Sequence, residues 1–186
     1  MPAASVLHPP GAPAHGRRAL SLWMLAGLVG CAGLPKPPPD QGLLTGRLVI
    51  RVEASAGAAA QTHSAGFELS GHAAQGRLKL LSPLGTAIAE ARWAGGRAEL
   101  DQGDAVRPFE SLDALTEAAL GEALPLAALF DWLTGQPWPG APSQTTEPGF
   151  AQLGWLIDVS ALATDGLLQA QRQASPVVAL KIRLDR

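Results

Sequence analysis

The chain has 186 residues and a formal net charge of −2 at pH 7, a length that suits one folded domain once an export segment is set aside. The mildly acidic balance, with no basic block, argues against nucleic-acid binding, which depends on a cationic patch or stripe. A single cysteine excludes an internal disulfide framework, and 21 glycines with 16 prolines indicate many turns.

The first 30 residues have the pattern of a secretory signal. Arg17 and Arg18 precede an uncharged run over residues 19–30, whose centre is almost entirely apolar. A positive start, an apolar stretch of about a dozen residues and small residues at its end are typical of a cleaved signal peptide. The run is shorter than the roughly 20 apolar residues that cross a bilayer. We therefore predict a signal over residues 1–30, where the long segment 1–16 suggests a start codon further downstream.

The signal ends in Leu28-Val29-Gly30-Cys31, which resembles the lipobox of bacterial lipoproteins. The resemblance implies cleavage before Cys31, a diacylglycerol on its sulfur and an acyl chain on its new amino group. The alternative is an ordinary signal that happens to contain a cysteine, but this cysteine is the only one and directly follows the apolar run. Each buried methylene contributes about 0.8 kcal/mol, so two or three acyl chains anchor a protein almost irreversibly. By resemblance to the enterobacterial sorting rule, Ala32 instead of Asp implies lipid anchoring in the outer membrane, facing the periplasm.

A proline-rich segment, Pro35-Lys36-Pro37-Pro38-Pro39, follows the cysteine. Such segments are extended and stiff, at about 3.1 Å per residue, which predicts a stalk that holds the domain away from the membrane. The predicted organisation is thus a signal over 1–30, the lipidated cysteine and stalk over 31–45, and a folded domain over 46–186.

Alternation of apolar and polar residues predicts a meander of short antiparallel strands in the first half of the domain. The predicted strands cover residues 46–53, 65–69, 77–80, 86–93 and 97–101, with an Ala- and Gly-rich loop at 54–60. Turn signals separate them at Ser82-Pro83-Leu84-Gly85 and at Gly95-Gly96.

The middle of the domain changes to helical spacing. Ser111 is a good N-cap for a first helix that ends at Gly121, and Pro125 at a first helical position starts a second helix that Gly135 closes. Two short amphipathic helices in a β protein either cap one end of the core or form a lid over a cavity, and the pattern alone favours capping.

The last third returns to strand patterning after a Pro- and Gly-rich loop over residues 136–149. Strands are predicted at 150–159, 167–173 and 178–185, and the last is the clearest in the chain. Strands, two helices and then strands, without βα alternation, predict a mainly β (α+β) fold: an antiparallel sheet or open barrel with helices on one side.

Residues able to carry catalysis are scarce. Outside the predicted signal only His63 and His72 remain, both in Gly- and Ala-rich, loop-like surroundings that predict solvated side chains. Zinc-binding patterns, nucleophile elbows, phosphate loops and dinucleotide fingerprints are all missing from the sequence. A loose acidic group resembles a solvated edge more than a calcium site: Glu99, Asp101 and Asp104. We therefore expect a binding protein, not an enzyme, with no cofactor and no metal.

Five blocks together resemble the LolB family of outer-membrane lipoprotein receptors, in that family's order. The blocks are Gly46-Arg47-Leu48, Ser64-Ala65-Gly66-Phe67, the SPLG block within Leu80 to Thr86, the long block from Gly121 to Pro137, and Phe150-Ala151-Gln152-Leu153-Gly154-Trp155. They cover almost the whole mature chain, and the most specific are the SPLG block and the P-L-x-x-L-x-x-W-L-x-G-x-P pattern. The lipobox is independent support, because the homologous periplasmic carrier LolA shares the fold but is soluble.

This resemblance implies an unclosed antiparallel β-barrel with a short helical lid around an apolar cavity, and it places residues 125–135 in the lid. It implies a protein that accepts lipoproteins from a LolA-type periplasmic carrier and inserts them into the inner leaflet of the outer membrane without nucleotide hydrolysis. The implied partners are that carrier, the acyl chains of the cargo and outer-membrane phospholipid, and the protein is expected to act as a monomer without nucleic acid.

Family members carry an exposed leucine in the loop of the SPLG block, which assists release of cargo into the membrane. The matching residue here is Leu84, flanked by Pro83 and Gly85 in a predicted membrane-insertion loop. The alternative is that Leu84 is a core residue next to a turn.

The inward-facing positions of the predicted strands and the second helix are candidates for the walls of an acyl-chain cavity. They are Leu48, Ile50, Phe67, Leu69, Leu80, Trp93, Leu129, Trp132, Trp155, Leu180 and Ile182. The same residues would form the core of a non-transferring structural or assembly lipoprotein, which is the alternative function. The chain departs from the family in ending at Asp185-Arg186 without the usual terminal aromatic residue and in having alanine at many positions, so a reduced hairpin and an altered cavity size are expected.

Overall fold

The computed structural model describes residues 42–55 and 57–185 of the chain. The predicted signal, Cys31 and most of the stalk lie outside the described residues, and the predictions for them stay predictions. The first strand begins at Leu44, two residues before the predicted start of the domain.

Within the described residues the domain consists of eleven strands and three short helices. The strands are β1 (Leu44–Val52), β2 (Gln61–His72), β3 (Gln75–Leu81), β4 (Ala87–Ala94), β5 (Arg97–Asp101), β6 (Val106–Phe109), β7 (Ser143–Thr146), β8 (Gly149–Gln152), β9 (Trp155–Asp158), β10 (Leu167–Arg172) and β11 (Val178–Leu184). The helices are α1 (Leu112–Leu120), α2 (Leu126–Trp132) and α3 (Leu162–Asp165).

The strands form one antiparallel sheet in which β1 pairs with both β2 and β11. The sheet order runs β6-β5-β4-β3-β2-β1-β11-β10-β9-β8-β7, so β6 and β7 are its two edges. Because these edges pair with one neighbour each, the barrel is unclosed, as the sequence predicted. The connection from β6 to β7 carries α1 and α2, and α1 packs against β5 and β6 at one edge.

The alternation of apolar and polar residues that predicted β1 and β11 matches the alternation of buried and exposed side chains in these strands. In β1 the side chains of Leu48, Ile50 and Val52 are buried, while Arg47 and Arg51 are exposed. The buried faces of the strands and the apolar stripes of α1 and α2 make one continuous core.

Three features of the strands differ from the sequence-based prediction. The predicted strand 150–159 is a hairpin of β8 and β9, because Leu153 and Gly154 adopt left-handed backbone angles (φ 54° and 77°) and form the turn. The predicted loop 136–149 contains β7, and β6 had no counterpart in the prediction. Both unpredicted strands are sheet edges, β7 polar throughout and β6 interrupted by Pro108, so neither shows the alternation that predicts a strand.

Both predicted helices are present, and the first has the predicted cap at each end. The hydroxyl of Ser111 accepts a hydrogen bond from the Ala114 amide at 3.1 Å, and Gly121 ends α1 in the left-handed conformation. Pro125 precedes α2 as its N-cap instead of occupying the first helical position, and α2 ends at Trp132, three residues before Gly135.

Candidate lipid-binding cavity and exposed loop

A cavity of about 540 Å³ lies between the buried face of the sheet and helices α1 and α2. Its volume is within the range of roughly 300–1,000 Å³ that is usual for pockets that bind small molecules. Most of its lining is aliphatic, and the residues are Leu48, Ile50, Thr62, His63, Ser64, Ala65, Leu78, Leu80, Ile88, Ala89, Ala91, Leu100, Gln102, Leu115, Thr116, Ala119, Leu120, Leu124, Pro125, Leu126, Leu129, Trp132, Leu180 and Ile182.

Small side chains on the sheet leave the space that the cavity occupies. Ala65 pairs with Leu48, Ala89 pairs with Leu80, and Ala91 lies between Leu78 and Leu100 in register. All three alanines line the cavity, and Ala119 lines it from α1. A larger side chain at these positions would project into the volume, so the high alanine content produces a cavity here instead of a solid core.

Seven of the eleven candidate cavity residues line this cavity. They are Leu48, Ile50, Leu80, Leu129, Trp132, Leu180 and Ile182. The other four, Phe67, Leu69, Trp93 and Trp155, are fully buried in the core and do not line it. Strand alternation identifies the face to which a side chain points, but it does not tell how far along the strand a cavity extends.

Trp93 lies away from the cavity because its indole packs at the β2–β3 end of the sheet. Its Nε1 donates to the carbonyl oxygens of His72 and Ala73, both at 3.2 Å. The ring lies across Gly76, where a Cβ atom would collide with it, and it meets Phe130 of the second helix edge-on at 5.9 Å. Trp93 therefore holds the start of β3 and α2 together instead of facing a ligand.

Trp155 packs against Trp132 of α2 and does not line the cavity. Its ring is 6.3 Å from that of Trp132, and the guanidinium of Arg172 lies over it at 5.9 Å. Arg172 also forms an ion pair with Glu122 in the connection between α1 and α2. Trp155 thus belongs to the contacts that position α2.

The sequence-based list missed the contribution of α1 and of the segment before α2. Leu115, Ala119 and Leu120 of α1, and Leu124 of the connection, all line the cavity. The signal for the α1 residues was their helical spacing, but spacing alone does not distinguish a helix that caps a core from one that covers an empty volume.

His63 is a cavity residue, which corrects its prediction as a solvated loop side chain. It lies in β2 opposite Ile50, because β2 begins at Gln61, four residues earlier than predicted. Its ring lines the cavity, and its Nε2 atom is shielded from solvent without a hydrogen-bond partner among the described residues. His72 is exposed as predicted, and its Nδ1 accepts a hydrogen bond from the Ala74 amide.

Replacing His63 by leucine should stabilise the domain by about 1 kcal/mol or more, because it removes a buried polar atom that lacks a partner. Urea denaturation of the two proteins measures the difference. His72→Leu is the matched control and should not stabilise, since that ring is exposed and accepts a hydrogen bond. A loss of stability in His63→Leu would contradict this account and show that the imidazole has a bound partner.

The SPLG turn presents Leu84 to the surroundings with almost no protein contact. Its side chain is 93% exposed, the most exposed of the large apolar residues that the structure describes. The turn itself is well braced: the Ser82 hydroxyl accepts from the amides of Leu84 and Thr86 at 3.3 and 3.2 Å, and Gly85 donates to the Ser82 carbonyl at 2.9 Å. A rigid turn thus holds one bare leucine away from the domain, and Leu84 is not a core residue.

Two further properties of the described residues bear on chemistry and membrane contact. No three His, Cys, Asp or Glu side chains in residues 42–55 and 57–185 lie close enough together to hold a metal ion. None of the helices in these residues has the length and apolar character needed to cross a membrane.

The chain is similar to proteins named Outer-membrane lipoprotein LolB. The profile of the family described as "Outer membrane lipoprotein LolB" matches residues 44–184. This chain belongs to the LolB family. The LolB of Bordetella pertussis is 34% identical over 179 residues, covering 88% of this chain and 89% of the relative, and that of Bordetella parapertussis is 34% identical over 184 residues, covering 91% and 92%. The LolB of Cupriavidus pinatubonensis is 41% identical over a shorter stretch of 88 residues.

The last two blocks of the LolB resemblance meet in one hydrogen-bond network. Trp132 of α2 is 0% exposed, and its Nε1 donates to Oε1 of Gln152 on β8 at 2.8 Å. The same oxygen accepts from the Trp138 amide at 2.9 Å, while Nε2 of Gln152 donates to the carbonyls of Trp138 and Ala141 at 2.7 and 2.8 Å. A buried glutamine with all its groups satisfied therefore clamps α2 and the loop that follows it onto the sheet.

This clamp gives the tryptophan of the P-L-x-x-L-x-x-W-L pattern a structural role in this chain. α2 has seven residues, too few to be stable by itself in water. Trp132 provides both an apolar ring for the cavity wall and a donor that sets the position of the helix over the sheet.

Proposed function

We propose that this protein is an outer-membrane lipoprotein that accepts lipoproteins from a LolA-type periplasmic carrier and inserts them into the inner leaflet of the outer membrane. The observation that carries the proposal is the apolar cavity of about 540 Å³ under α1 and α2, in a chain that belongs to the LolB family. A cavity lined mostly by aliphatic side chains suits acyl chains, which need burial from water and offer few polar groups.

Transfer from carrier to receptor must avoid water. An acyl chain of about 15 methylenes loses on the order of 12 kcal/mol when it is moved from an apolar site into water, so escape through solvent would be far too slow. We therefore propose that cargo passes directly from the mouth of the carrier's cavity to the mouth of this one, because the second cavity binds the chains more tightly. α1 and α2 act as the lid of that cavity.

Anchoring and delivery use different segments of the chain. The lipidated Cys31 and the stalk over residues 31–45 hold the domain, as a monomer, at the periplasmic face of the outer membrane. Leu84, between Pro83 and Gly85, contacts the phospholipid and assists the release of cargo into the membrane. Its 93% exposure supports this role, since a bare leucine on a rigid turn gains burial only by meeting a membrane or a partner.

The alternative, a structural lipoprotein with a solid β core, is not favoured. It requires the inward residues to fill the space between sheet and helices, and Ala65, Ala89, Ala91 and Ala119 leave that space empty.

Depletion of the protein in its own cells tests the proposal. Outer-membrane lipoproteins should accumulate in the periplasm bound to the LolA carrier, as measured by membrane fractionation and by recovery of the loaded carrier. Normal localisation of lipoproteins, with no rise in the loaded carrier, would overturn the receptor function.

A further inference from the structure

Ile88 interrupts the alternation of inward-facing and outward-facing side chains along β4. The register of β3 with β4 shifts between Leu80 and Leu81: Leu80 pairs with Ala89 but Leu81 pairs with Ala87. Ile88 is the extra residue of this β-bulge. The extra residue interrupts the alternation of side chains along β4, and both Ile88 and Ala89 line the cavity. Bulges of this kind re-aim side chains at the rims of barrels.

Ile88 lies at the mouth of the cavity, because its side chain lines the cavity and is also 50% exposed. Two other exposed residues share this position on the rim: Gln102 and Ala119. Thr62 and Ser64 are also exposed, but they pair with Arg51 and Val49 and lie on the outer face of the sheet. Ile88 is therefore the one large apolar side chain among the exposed residues of the described rim, and an acyl chain crosses the rim with the least exposure to water at that point.

The same residue is close in the chain to the exposed leucine. Only three residues separate Ile88 from Leu84, so their Cα atoms are at most about 14 Å apart, a distance that an extended acyl chain spans. Ile88 at the mouth of the cavity and Leu84 at the tip of the SPLG turn are therefore two apolar side chains within the length of one acyl chain.

We infer that Ile88 is the exit residue of the cavity, over which acyl chains pass on their way to the membrane that Leu84 contacts. The inference rests on the proposed function and adds a transfer path to it. The bulge places the isoleucine on that path, and the other exposed residues of the rim, Gln102 and Ala119, offer no large apolar side chain there.

The test uses the full lipidated protein in vesicles of phosphatidylethanolamine and phosphatidylglycerol, with LolA carrier loaded with a radiolabelled triacylated lipoprotein. Ile88→Ser removes one lining residue at the mouth, so insertion is compared per amount of cargo taken up from the carrier. Its rate of insertion into the vesicle membrane should fall about tenfold, the effect expected from losing one apolar contact of this size. Ile88→Leu should restore the rate.

Val106→Ser is the matched control, because Val106 is also a branched apolar strand residue, 53% exposed, but does not line the cavity. It should insert cargo at the normal rate. Insertion by Ile88→Ser at the normal rate, or equal slowing in Val106→Ser, would overturn the role of Ile88 while leaving the receptor function intact. Failure of the unchanged protein to take cargo or insert it would instead overturn the proposed function and this inference with it.

Discussion

Replacing Leu84 by glutamate should leave cargo uptake from the carrier unchanged and slow insertion into the membrane by a factor on the order of a thousand. The side chain is 93% exposed and touches neither the core nor the cavity, so the fold and the bound cargo should not be affected. A carboxylate at the tip replaces an apolar group that gains about 2 kcal/mol on burial, and a charge in the hydrocarbon region costs about 3 kcal/mol. Uptake and insertion are measured separately, with the loaded carrier as donor and vesicles as acceptor.

Leu84→Ile is the control for shape, and it should insert cargo at nearly the normal rate because the tip stays apolar. If Leu84→Glu lost uptake and insertion equally, the leucine would have a structural role in the domain. If it lost neither, the SPLG turn would not be the part of the protein that meets the membrane.

Replacing Gln152 by leucine should lower the free energy of unfolding by at least about 3 kcal/mol. The substitution roughly keeps the volume but leaves three buried or half-buried groups without a partner: Nε1 of Trp132, the amide of Trp138 and the carbonyl of Ala141. The carbonyl of Trp138 loses one of its two partners, because it still accepts from the Ala141 amide at 3.5 Å. Each unsatisfied group of this kind costs about 1–3 kcal/mol when it is cut off from water. Urea denaturation, followed by tryptophan fluorescence, measures the change.

Gln144→Leu is the matched control, because Gln144 is an exposed glutamine on the neighbouring strand β7. It should change the free energy of unfolding by no more than about 0.5 kcal/mol. A loss of less than 1 kcal/mol in Gln152→Leu would show that the network does not hold α2 and its loop on the sheet. A large loss should also be accompanied by weaker binding of an apolar dye, because Trp132 forms part of the cavity wall.

Some predictions from sequence succeeded because the pattern was local and complete. β1 and β11 alternate strictly, Gly95-Gly96 forms its tight turn, and Ser111 caps α1 as expected. The exposed position of Leu84 followed from its flanking Pro83 and Gly85. At these positions the structure depends only on neighbouring residues, either through the alternation of side chains or through the backbone conformation.

Other features could not be read from neighbouring residues. The edge strands β6 and β7 exist because a paired strand lies beside them, and their own sequences show no alternation. The β8–β9 turn contains Leu153, an apolar residue that made two strands resemble one. His63 looked like a loop residue within a run of small side chains, and its place in β2 depends on pairing with β1.

The amino-acid sequence by itself determined the class of fold, the predicted export and lipidation signals and the likeness to LolB, because these depend on short motifs and their order. Only the tertiary structure decided which inward residues surround a cavity and which fill the core. The cavity arises where alanines of the sheet face the helices, while Trp93 and Trp155 turn to other partners elsewhere. It also placed Ile88 at the rim, through a one-residue shift of register between β3 and β4. Such features depend on how distant segments pack against each other, which no local pattern in the sequence specifies.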